Sequence, residues 1–401
     1  MNFKIPFSGR AHNYIKSEEE IVLKAMRDSI PLTQGKYLAE FQDNFSEYIG
    51  SKYAFGVNNA TSALDLSAQM SQFKQDDEVI CPAHTFTASI YPFIKNGAKP
   101  IWADIDSETR VVSLKEIKKV VSEKTKAIVV VHLYGFIIPN IQEIADFCKE
   151  KNIILVEDVA QALGTEIDGK KAGTFGDFGV FSFHSHKNIT TLGEGGILVT
   201  NSEKFAKVIP MIRHNGHTNW NFDRPNYWTP AMGNVDLAEL NEKYLMPNNF
   251  SLGEVESALG TELLKRIDKI NSEKRERAIY FIDKISMTSS LLKFHRVDSK
   301  EHNYHLLVAE VQNGKRDIFM QKMSEEKKIQ CVVQYYPLNR YDLYKKLGFE
   351  QAEIPNTDKF FDNMVSFPFH HSLTDLEFEY MLKSTKEVLF EIEKEFNGKI
   401  S

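Results

Sequence analysis

The chain has 401 residues, of which 42% are hydrophobic and 26% are charged, a composition typical of globular proteins. The formal net charge is −6, and Lys and Arg are spread along the sequence, which argues against nucleic acid or an anionic membrane as a partner. No apolar run approaches the roughly 18 residues that a membrane span needs. The three cysteines, Cys81, Cys148 and Cys331, match neither a disulfide framework nor a metal site, so we expect a reducing, cytoplasmic setting.

Two helices are predicted before residue 50. Ser17 is followed by three glutamates, a typical helix start, because a serine cap and early carboxylates satisfy the free N–H groups there. The stretch 31–35 contains Pro and Gly and ends this helix. A second helix follows and ends at Gly50. Its apolar face is formed by Leu38, Phe41, Phe45 and Ile49.

Between residues 53 and 200, short β-branched runs alternate with helical segments. The predicted strands are 53–57, 78–81, 99–103, 127–132, 153–158, 180–183 and 197–200, and the predicted helices are 61–70, 114–121 and 141–149. The run 127–132 is apolar without interruption, which is typical of a strand buried on both faces. Strands that alternate with helices indicate βαβ units, so we predict the α/β class with a mostly parallel sheet.

The second half of the chain has a different pattern. Residues 216–249 are rich in Asn, Trp, Tyr and Pro and are too long for an ordinary connector, so we expect an active-site loop there. A helix is predicted from 254 to 267, continuing towards 282. Strands at 304–308 and 329–333 and helices at 317–327 and 375–395 indicate an α+β tail. We therefore predict an N-terminal extension with a large domain (1–270) and a small C-terminal domain (271–401).

A polar turn between two predicted strands carries Lys187. A lysine on such a turn is nearly fixed, and packed surroundings lower its pKa, as a Schiff-base nucleophile requires. A lone lysine is more often a solvated surface residue. The choice between these interpretations depends on the other motifs of the chain.

Asp158 ends a predicted buried strand, and that is the edge at which open α/β sheets bind ligands. A carboxylate there can pair with a protonated ring nitrogen, as pyridoxal phosphate (PLP) chemistry requires, or it can be a structural cap or an ion-pair partner. Gln161, one helical turn further on, could hydrogen-bond a ring hydroxyl.

Two strand-to-helix connections could hold the rest of a cofactor. Residues 58–63 lead from a strand into a helix, so their free N–H groups suit a phosphate, although an ordinary helix cap has the same appearance. The chain has no GxGxxG or Walker motif, which disfavours dinucleotides and nucleoside triphosphates. Phe86, after the next strand, could stack on a flat heterocycle or pack in the core.

These motifs occur in a fixed order: Asn59-Ala-Thr61, Pro82-Ala-His-Thr-Phe86, His132-Leu-Tyr-Gly135, Glu157-Asp-Val-Ala-Gln161, Gly176-Asp177, Ser182 to Thr191 and Gly193-Glu-Gly-Gly196. The order resembles the DegT/DnrJ/EryC1/StrS family of sugar aminotransferases, which are fold-type I PLP-dependent transferases. The resemblance runs from about residue 5 to the C-terminus. It implies a large domain with a mostly parallel sheet that binds PLP, and a smaller α+β C-terminal domain.

The resemblance implies a role for each site residue. Lys187 would hold the cofactor as a Schiff base and shuttle the proton, and Asp158 would pair with the pyridine nitrogen. Gln161 would meet the ring hydroxyl, and Phe86 would stack on the ring. Asn249 of the partner subunit would complete the phosphate site, which implies an obligate homodimer with shared active sites. The phosphate ligands of the chain itself would be Ala60, Thr61 and Ser182.

The sequence departs from the family pattern at three positions. Ala60 replaces the usual Gly, Ser251 replaces the Arg expected after the partner Asn, and Asn339 replaces a frequent His. The last two lie where substrate contacts are expected, so no familiar substrate is carried over. One branch of the family has His in place of the lysine and dehydrates its sugar. Because Lys187 is present and is followed by Asn-Ile-Thr-Thr, we expect transamination here.

The resemblance implies an aminotransferase that converts a keto-sugar, expected to be nucleotide-linked, to an amino sugar. L-glutamate would be the amino donor, and the setting would be surface polysaccharide or glycan biosynthesis. Two alternatives stay open. One is transamination of a small phosphorylated or cyclitol ketone, and the other is a PLP-binding regulatory protein without turnover.

Overall fold

The computed structural model describes residues 2–8, 12–218 and 233–397. The first strands in chain order are β1 (Tyr53–Val57), β2 (Glu78–Pro82), β3 (Lys99–Ala103), β4 (Thr125–Val131), β5 (Ile154–Asp158), β6 (Glu166–Ile167), β7 (Lys170–Lys171), β8 (Phe178–Ser182) and β9 (Gly196–Thr200). Seven of them form one sheet in the order β1-β9-β8-β5-β4-β2-β3. In this sheet only β9 runs against the others, since it pairs antiparallel with β8 and β1. The prediction of an α/β fold with a mostly parallel sheet is confirmed.

Helices cover both faces of this sheet. Within the described residues they are α1 (Lys16–Asp28), α2 (Lys36–Ile49), α3 (Ala60–Ser71), α4 (Tyr91–Lys95), α5 (Leu114–Val120), α6 (Ile141–Lys151), α7 (Glu203–Arg213), α8 (Glu254–Leu264), α9 (Ile267–Ser286), α10 (Arg316–Glu325), α11 (Asp342–Lys346), α12 (Pro355–Asn363) and α13 (Asp375–Asn397). Successive residues of β4 face opposite ways, so Ile128 packs in one core with α2, α6 and α8, and Val129 packs in another with α3, α4 and α7. None of these helices is long and apolar enough to cross a bilayer.

A second, smaller sheet lies in the C-terminal part. The remaining strands are β10 (His217–Thr218), β11 (Asn234–Val235), β12 (Ala238–Leu240), β13 (Lys243–Leu245), β14 (Leu292–Phe294), β15 (Leu307–Val311) and β16 (Met364–Phe367). Strands β14, β15 and β16 pair antiparallel, and their apolar side chains share a core with α9, α10 and α13. The domain division at 270/271 stays a prediction, and α9 runs across that position.

Three details of the C-terminal prediction are wrong. Strand β15 begins at Leu307 rather than at residue 304. Tyr304 has a positive φ of 49°, so its backbone is not extended and cannot be part of the strand. Residues 329–333 form isolated bridges instead of a strand, with Ile329 opposite Ile5 and Val332 opposite Ser366. The helix expected from 254 to 282 is two helices, α8 and α9.

The predicted loop 216–249 falls partly outside the described residues, which omit 219–232. The described part of the segment contains two short antiparallel ladders, β10 with β11 and β12 with β13. The role of the segment as an active-site loop therefore stays a prediction.

The N-terminal segment around Ile5 packs on the C-terminal unit, which consists of the small sheet β14–β16 and the helices that share its core. Ile5 is fully buried in the same core as Phe319 and Phe367. Its carbonyl accepts the N–H of Gln330 at 2.9 Å, and the N–H of Lys4 donates to the carbonyl of Lys328 at 2.8 Å. The core of the C-terminal unit thus includes residues from both ends of the described chain.

Candidate active site

The predicted site residues converge because of the sheet topology. Strands β1, β2, β5 and β8 are parallel, so their carboxyl ends, and the turns that follow them, meet at one edge of the sheet. A cleft of about 690 Å³ opens at this edge. Its lining includes every predicted site residue except Asn249: Ala60, Thr61, Phe86, Asp158, Gln161, Ser182 and Lys187.

Lys187 lies on a tightly bonded turn between β8 and β9. The N–H of Lys187 donates to the carbonyl of His184 at 2.8 Å, and the N–H of Ser185 donates to that of Gly193 at 2.9 Å. The hydroxyl of Thr191 donates to the carbonyl of Glu194 at 2.7 Å. With its backbone fixed in this way, Lys187 is half-buried in the cleft wall.

The electrostatic surroundings of Lys187 suit a nucleophilic amine. Burial lowers the pKa of its ammonium group, and the carboxylates of Asp158 and Glu194 offset part of this effect. A lysine with a lowered pKa releases its proton more readily, so it can attack a carbonyl carbon and can later take up a proton. The expectation that packing lowers the pKa of this lysine agrees with the structure.

Asp158 is buried at the end of β5, with 6% of its surface exposed. Its Oδ2 accepts the hydroxyl hydrogen of Ser89 at 2.7 Å, and its Oδ1 accepts the N–H of Ala160 at 3.0 Å. These contacts fix the carboxylate in the cleft wall, where it can hold a proton on a ring nitrogen. The bond from Ala160 is a local capping contact, and neither of the two contacts is with a cationic side chain, so the carboxylate has a structural role and also lines the cleft.

Gln161 is engaged within the protein. Its Oε1 accepts the N–H of Tyr134 at 2.7 Å, and its Nε2 donates to the hydroxyl of Tyr335 at 2.8 Å. The second N–H of the amide stays available for a ring hydroxyl. The hydroxyl of Tyr134 in turn bonds to Nε2 of His84 at 2.5 Å and donates to the carbonyl of Gln334 at 2.7 Å, so this end of the cleft is a connected polar network.

The start of α3 provides the phosphate-type site. Asn59 caps the helix by accepting the N–H of Ser62 at 2.9 Å, and the N–H groups of Ala60 and Thr61 are in the first turn, where a helix offers them no acceptor. A Cβ on Gly196 would lie 2.6 Å from the carbonyl carbon of Asn59, so a glycine is needed for β9 to approach this turn. A phosphate dianion fits this site. The free N–H groups at the start of α3, the close approach of β9 and the nearby hydroxyl of Ser182 would all face it.

The two remaining predicted residues are exposed. The ring of Phe86 is 55% exposed within the cleft, 6.2 Å from the ring of Tyr335, which leaves its face free for a planar group. Asn249 is exposed outside the cleft of its own chain and forms an isolated β-bridge with His214. Both positions are compatible with their expected roles, which stay predictions.

Sequence reasoning missed residues that line the cleft or hold its lining residues in place. Ser89 and Tyr335 hold Asp158 and Gln161, respectively, and neither lies in a motif that signals its partner. Lys274 and His305 also line the cleft, although Lys274 belongs to a charged run that is typical of a solvated helix face. The sequence signal for a buried Lys274 is its spacing of three residues from Asn271, because this spacing places both polar side chains on one face of α9.

The chain has close counterparts among known proteins. A relative from Campylobacter jejuni, named UDP-4-amino-4,6-dideoxy-N-acetyl-beta-L-altrosamine transaminase, is 31% identical, and the match covers 96% of this chain and 98% of the relative. A GDP-perosamine synthase from Vibrio cholerae is 30% identical over 86% of this chain and 88% of its own length. The solved structure of Helicobacter pylori PseC, described as an aminotransferase involved in the biosynthesis of pseudoaminic acid, superposes with a TM-score of 0.85 at 27% identity, over 98% of this chain and 100% of that one.

The family assignment follows from the sequence match and agrees with the cleft. The family model of the DegT/DnrJ/EryC1/StrS aminotransferases matches residues 13–386. The cleft combines a packed lysine, a carboxylate at a strand end and a phosphate-type helix start, which are the groups that PLP requires of its protein. The chain is therefore a PLP-dependent aminotransferase and belongs to the DegT/DnrJ/EryC1/StrS family.

Proposed function

We propose that this aminotransferase converts a nucleotide-linked keto-sugar to an amino sugar, with L-glutamate as amino donor, for surface polysaccharide or glycan biosynthesis. The observation that carries the transaminase chemistry is the position of Lys187 in one cleft with Asp158 and the start of α3. The nucleotide-linked substrate is supported by the names of two relatives, a GDP-perosamine synthase and a UDP-sugar transaminase.

We assign a separate role in the reaction to each of four side chains of the cleft. Bound PLP supplies an electron sink that stabilises negative charge on the carbon attached to the amine. We assign to Nζ of Lys187 the removal of the proton from that carbon, because it lies in the cleft wall and burial lowers its pKa, which favours the neutral amine that accepts a proton. Asp158 keeps a proton on the ring nitrogen, and Gln161 orients the ring. Phe86 covers one ring face and excludes water from it.

Turnover of a defined substrate pair tests this proposal. Purified PLP-loaded protein should lose its visible cofactor absorbance on addition of L-glutamate and should recover it on addition of the correct keto-sugar. The panel should contain 4-keto- and 3-keto-6-deoxy sugars linked to UDP, GDP and dTDP, and small phosphorylated and cyclitol ketones. Recovery with the small ketones alone would favour the alternative substrate class, which the departures at Ser251 and Asn339 keep open. A band that L-glutamate leaves unchanged would refute glutamate as the donor, and a band that no amino acid bleaches would favour a regulatory protein.

We further propose a homodimer in which Asn249 of the partner subunit completes the phosphate site. Asn249 is exposed and lies outside the cleft of its own chain, as a residue that serves a second copy would. Large apolar side chains, among them Ile30 at 95% exposed and Met246 at 71%, are also uncovered and would be buried by a partner.

A mixing experiment detects a shared site. The assay uses a PLP concentration that is too low to load the Asn249→Ala variant. Under this condition the Lys187→Ala and Asn249→Ala homodimers should each be inactive. In a hybrid dimer one of the two sites has both native residues, so reassociated mixtures should recover about a quarter of wild-type activity. Equal amounts of wild-type and Lys187→Ala chains are the matched control. Absence of recovery, with hybrids demonstrated by mass spectrometry, would contradict the shared site.

A further inference from the structure

Lys274 is a buried cation in the wall of the cleft. It projects from α9 with 5% of its surface exposed. Its Nζ donates to Oδ1 of Asn188 at 3.3 Å and to the carbonyl oxygens of His305 at 3.0 Å and Phe369 at 3.1 Å. These acceptors fix the ammonium group in one position.

The charge of Lys274 is not neutralised by the protein around it. All three acceptors are uncharged, and no carboxylate of a described residue lies within ion-pair distance. Burial lowers the pKa of Lys274 to about 7, with no opposing effect of a carboxylate. Since a buried charge without a counterion is costly, an anion in the cleft would relieve this cost.

Lys274 is linked by a hydrogen bond to the turn that carries Lys187. Its acceptor Asn188 directly follows Lys187, and the same Oδ1 contacts Nδ1 of His305 at 3.2 Å. Asn188 is fixed in turn by a bond from its Nδ2 to Oδ1 of Asn271 at 2.9 Å. Among the described residues that line the cleft, Lys187 and Lys274 are the only ones of the Lys and Arg types.

His370 adds a hydrogen-bond donor next to this charge. It lines the cleft together with Lys274, and its Nδ1 contacts the hydroxyl of Ser372 at 2.9 Å. When Nδ1 accepts that hydroxyl hydrogen, Nε2 carries the proton of the ring and can donate it to a ligand. Because the three N–H groups of Lys274 are all donated to protein acceptors, Lys274 would attract a carboxylate through its charge, and Nε2 of His370 would donate the hydrogen bond.

We propose that Lys274 and His370 form the subsite for a carboxylate of the amino donor. This inference rests on the proposed function, because it requires an amino acid as donor. The α-carboxylate of an amino acid is one carbon away from its nitrogen, so it must lie near Lys187, and Lys274 lines the same cleft and is bonded to the residue that follows Lys187. The keto-sugar has hydroxyl groups at the equivalent distance, and its diphosphate is several bonds further away. The cofactor phosphate has its own site at the start of α3.

Binding of glutarate, a dicarboxylate without an amino group, tests the subsite without turnover. We expect PLP-loaded wild-type protein to bind glutarate in a calorimetric titration and Lys274→Met to bind it at least about tenfold more weakly. His370→Asn, which can keep the contact to Ser372, should weaken binding about fivefold through the lost donor. Lys269→Met is the matched control, because its side chain is 77% exposed on the same helix, and it should bind as wild type does.

The titrations distinguish a carboxylate subsite from a diphosphate site and from a different amino donor. Unchanged glutarate affinity in Lys274→Met, or in His370→Asn if the first variant does not fold, would overturn the subsite. Loss of UDP or GDP affinity in Lys274→Met, with glutarate binding intact, would overturn it in favour of a diphosphate site. Failure of L-glutamate to bleach the cofactor band of wild-type protein would instead refute the proposed donor.

Discussion

Lys187→Ala is expected to abolish transamination and to leave the fold intact. We assign to the amine the covalent binding of the cofactor and the transfer of the proton, so its removal should lower the rate by at least about four orders of magnitude. Its side chain is half-buried in the cleft wall rather than in a core, and the turn around it is held by backbone bonds. We therefore expect the melting temperature of the variant without cofactor to stay within about 3 °C of wild type.

The measurement compares amino-sugar formation by wild type, Lys187→Ala and Lys24→Ala. Lys24 is exposed on α1 and does not line the cleft, so its variant controls for the loss of a lysine as such. Circular dichroism and thermal unfolding report whether each variant is folded. Turnover by purified Lys187→Ala near the wild-type rate would show that another group performs the chemistry.

Asp158→Asn is expected to have the second-largest effect. The amide has the shape of the carboxylate and can keep the bond from the N–H of Ala160, but it cannot hold a proton on a ring nitrogen by charge. Loss of such electrostatic stabilisation should lower kcat/KM by about two to three orders of magnitude. The folded state should survive, because the substitution adds no volume.

Ser89→Ala is expected to lower activity less than Asp158→Asn does. It removes one hydrogen bond to Oδ2 of Asp158 and leaves the carboxylate in place. A loss of about 1 kcal/mol corresponds to a five- to tenfold lower kcat/KM. Equal rates for Asp158→Asn and wild type would refute the assigned role of the carboxylate, whatever Ser89→Ala shows.

The sheet and the main site residues could be predicted because they depend on local patterns. Buried parallel strands are continuous apolar runs, and the residue after such a strand lies at the ligand-binding edge, so Asp158 could be located without a structure. Its neighbour Glu157 shows the limit of that reasoning. It faces the other side of β5, where its Oε1 accepts the N–H groups of Phe175 and Gly176 at 2.7 Å each, and it does not line the cleft.

The rest of the site could not be predicted because it is assembled by distant packing. Tyr335 follows a segment that the sequence predicts as a strand, and long-range contacts, among them the isolated bridge at Val332 and the bond from Tyr134 to Gln334, bring it to Gln161. Lys274 lies in the run Lys274-Arg-Glu-Arg277, whose composition indicates a solvated helix. It is buried because α9 passes next to the turn that carries Asn188, a contact that no spacing in the sequence encodes.

The packing of Ile5 against Ile329 has a consequence for the biosynthesis of the protein. A ribosome makes Ile329 about 320 residues after Ile5, which takes roughly 15–65 s at typical elongation rates. During that interval the large sheet can form, but Ile5 has no core to enter, since Phe319, Ile329 and Phe367 do not yet exist. The C-terminal unit therefore closes after synthesis has passed these residues, and until then the apolar N-terminal segment is accessible to chaperones.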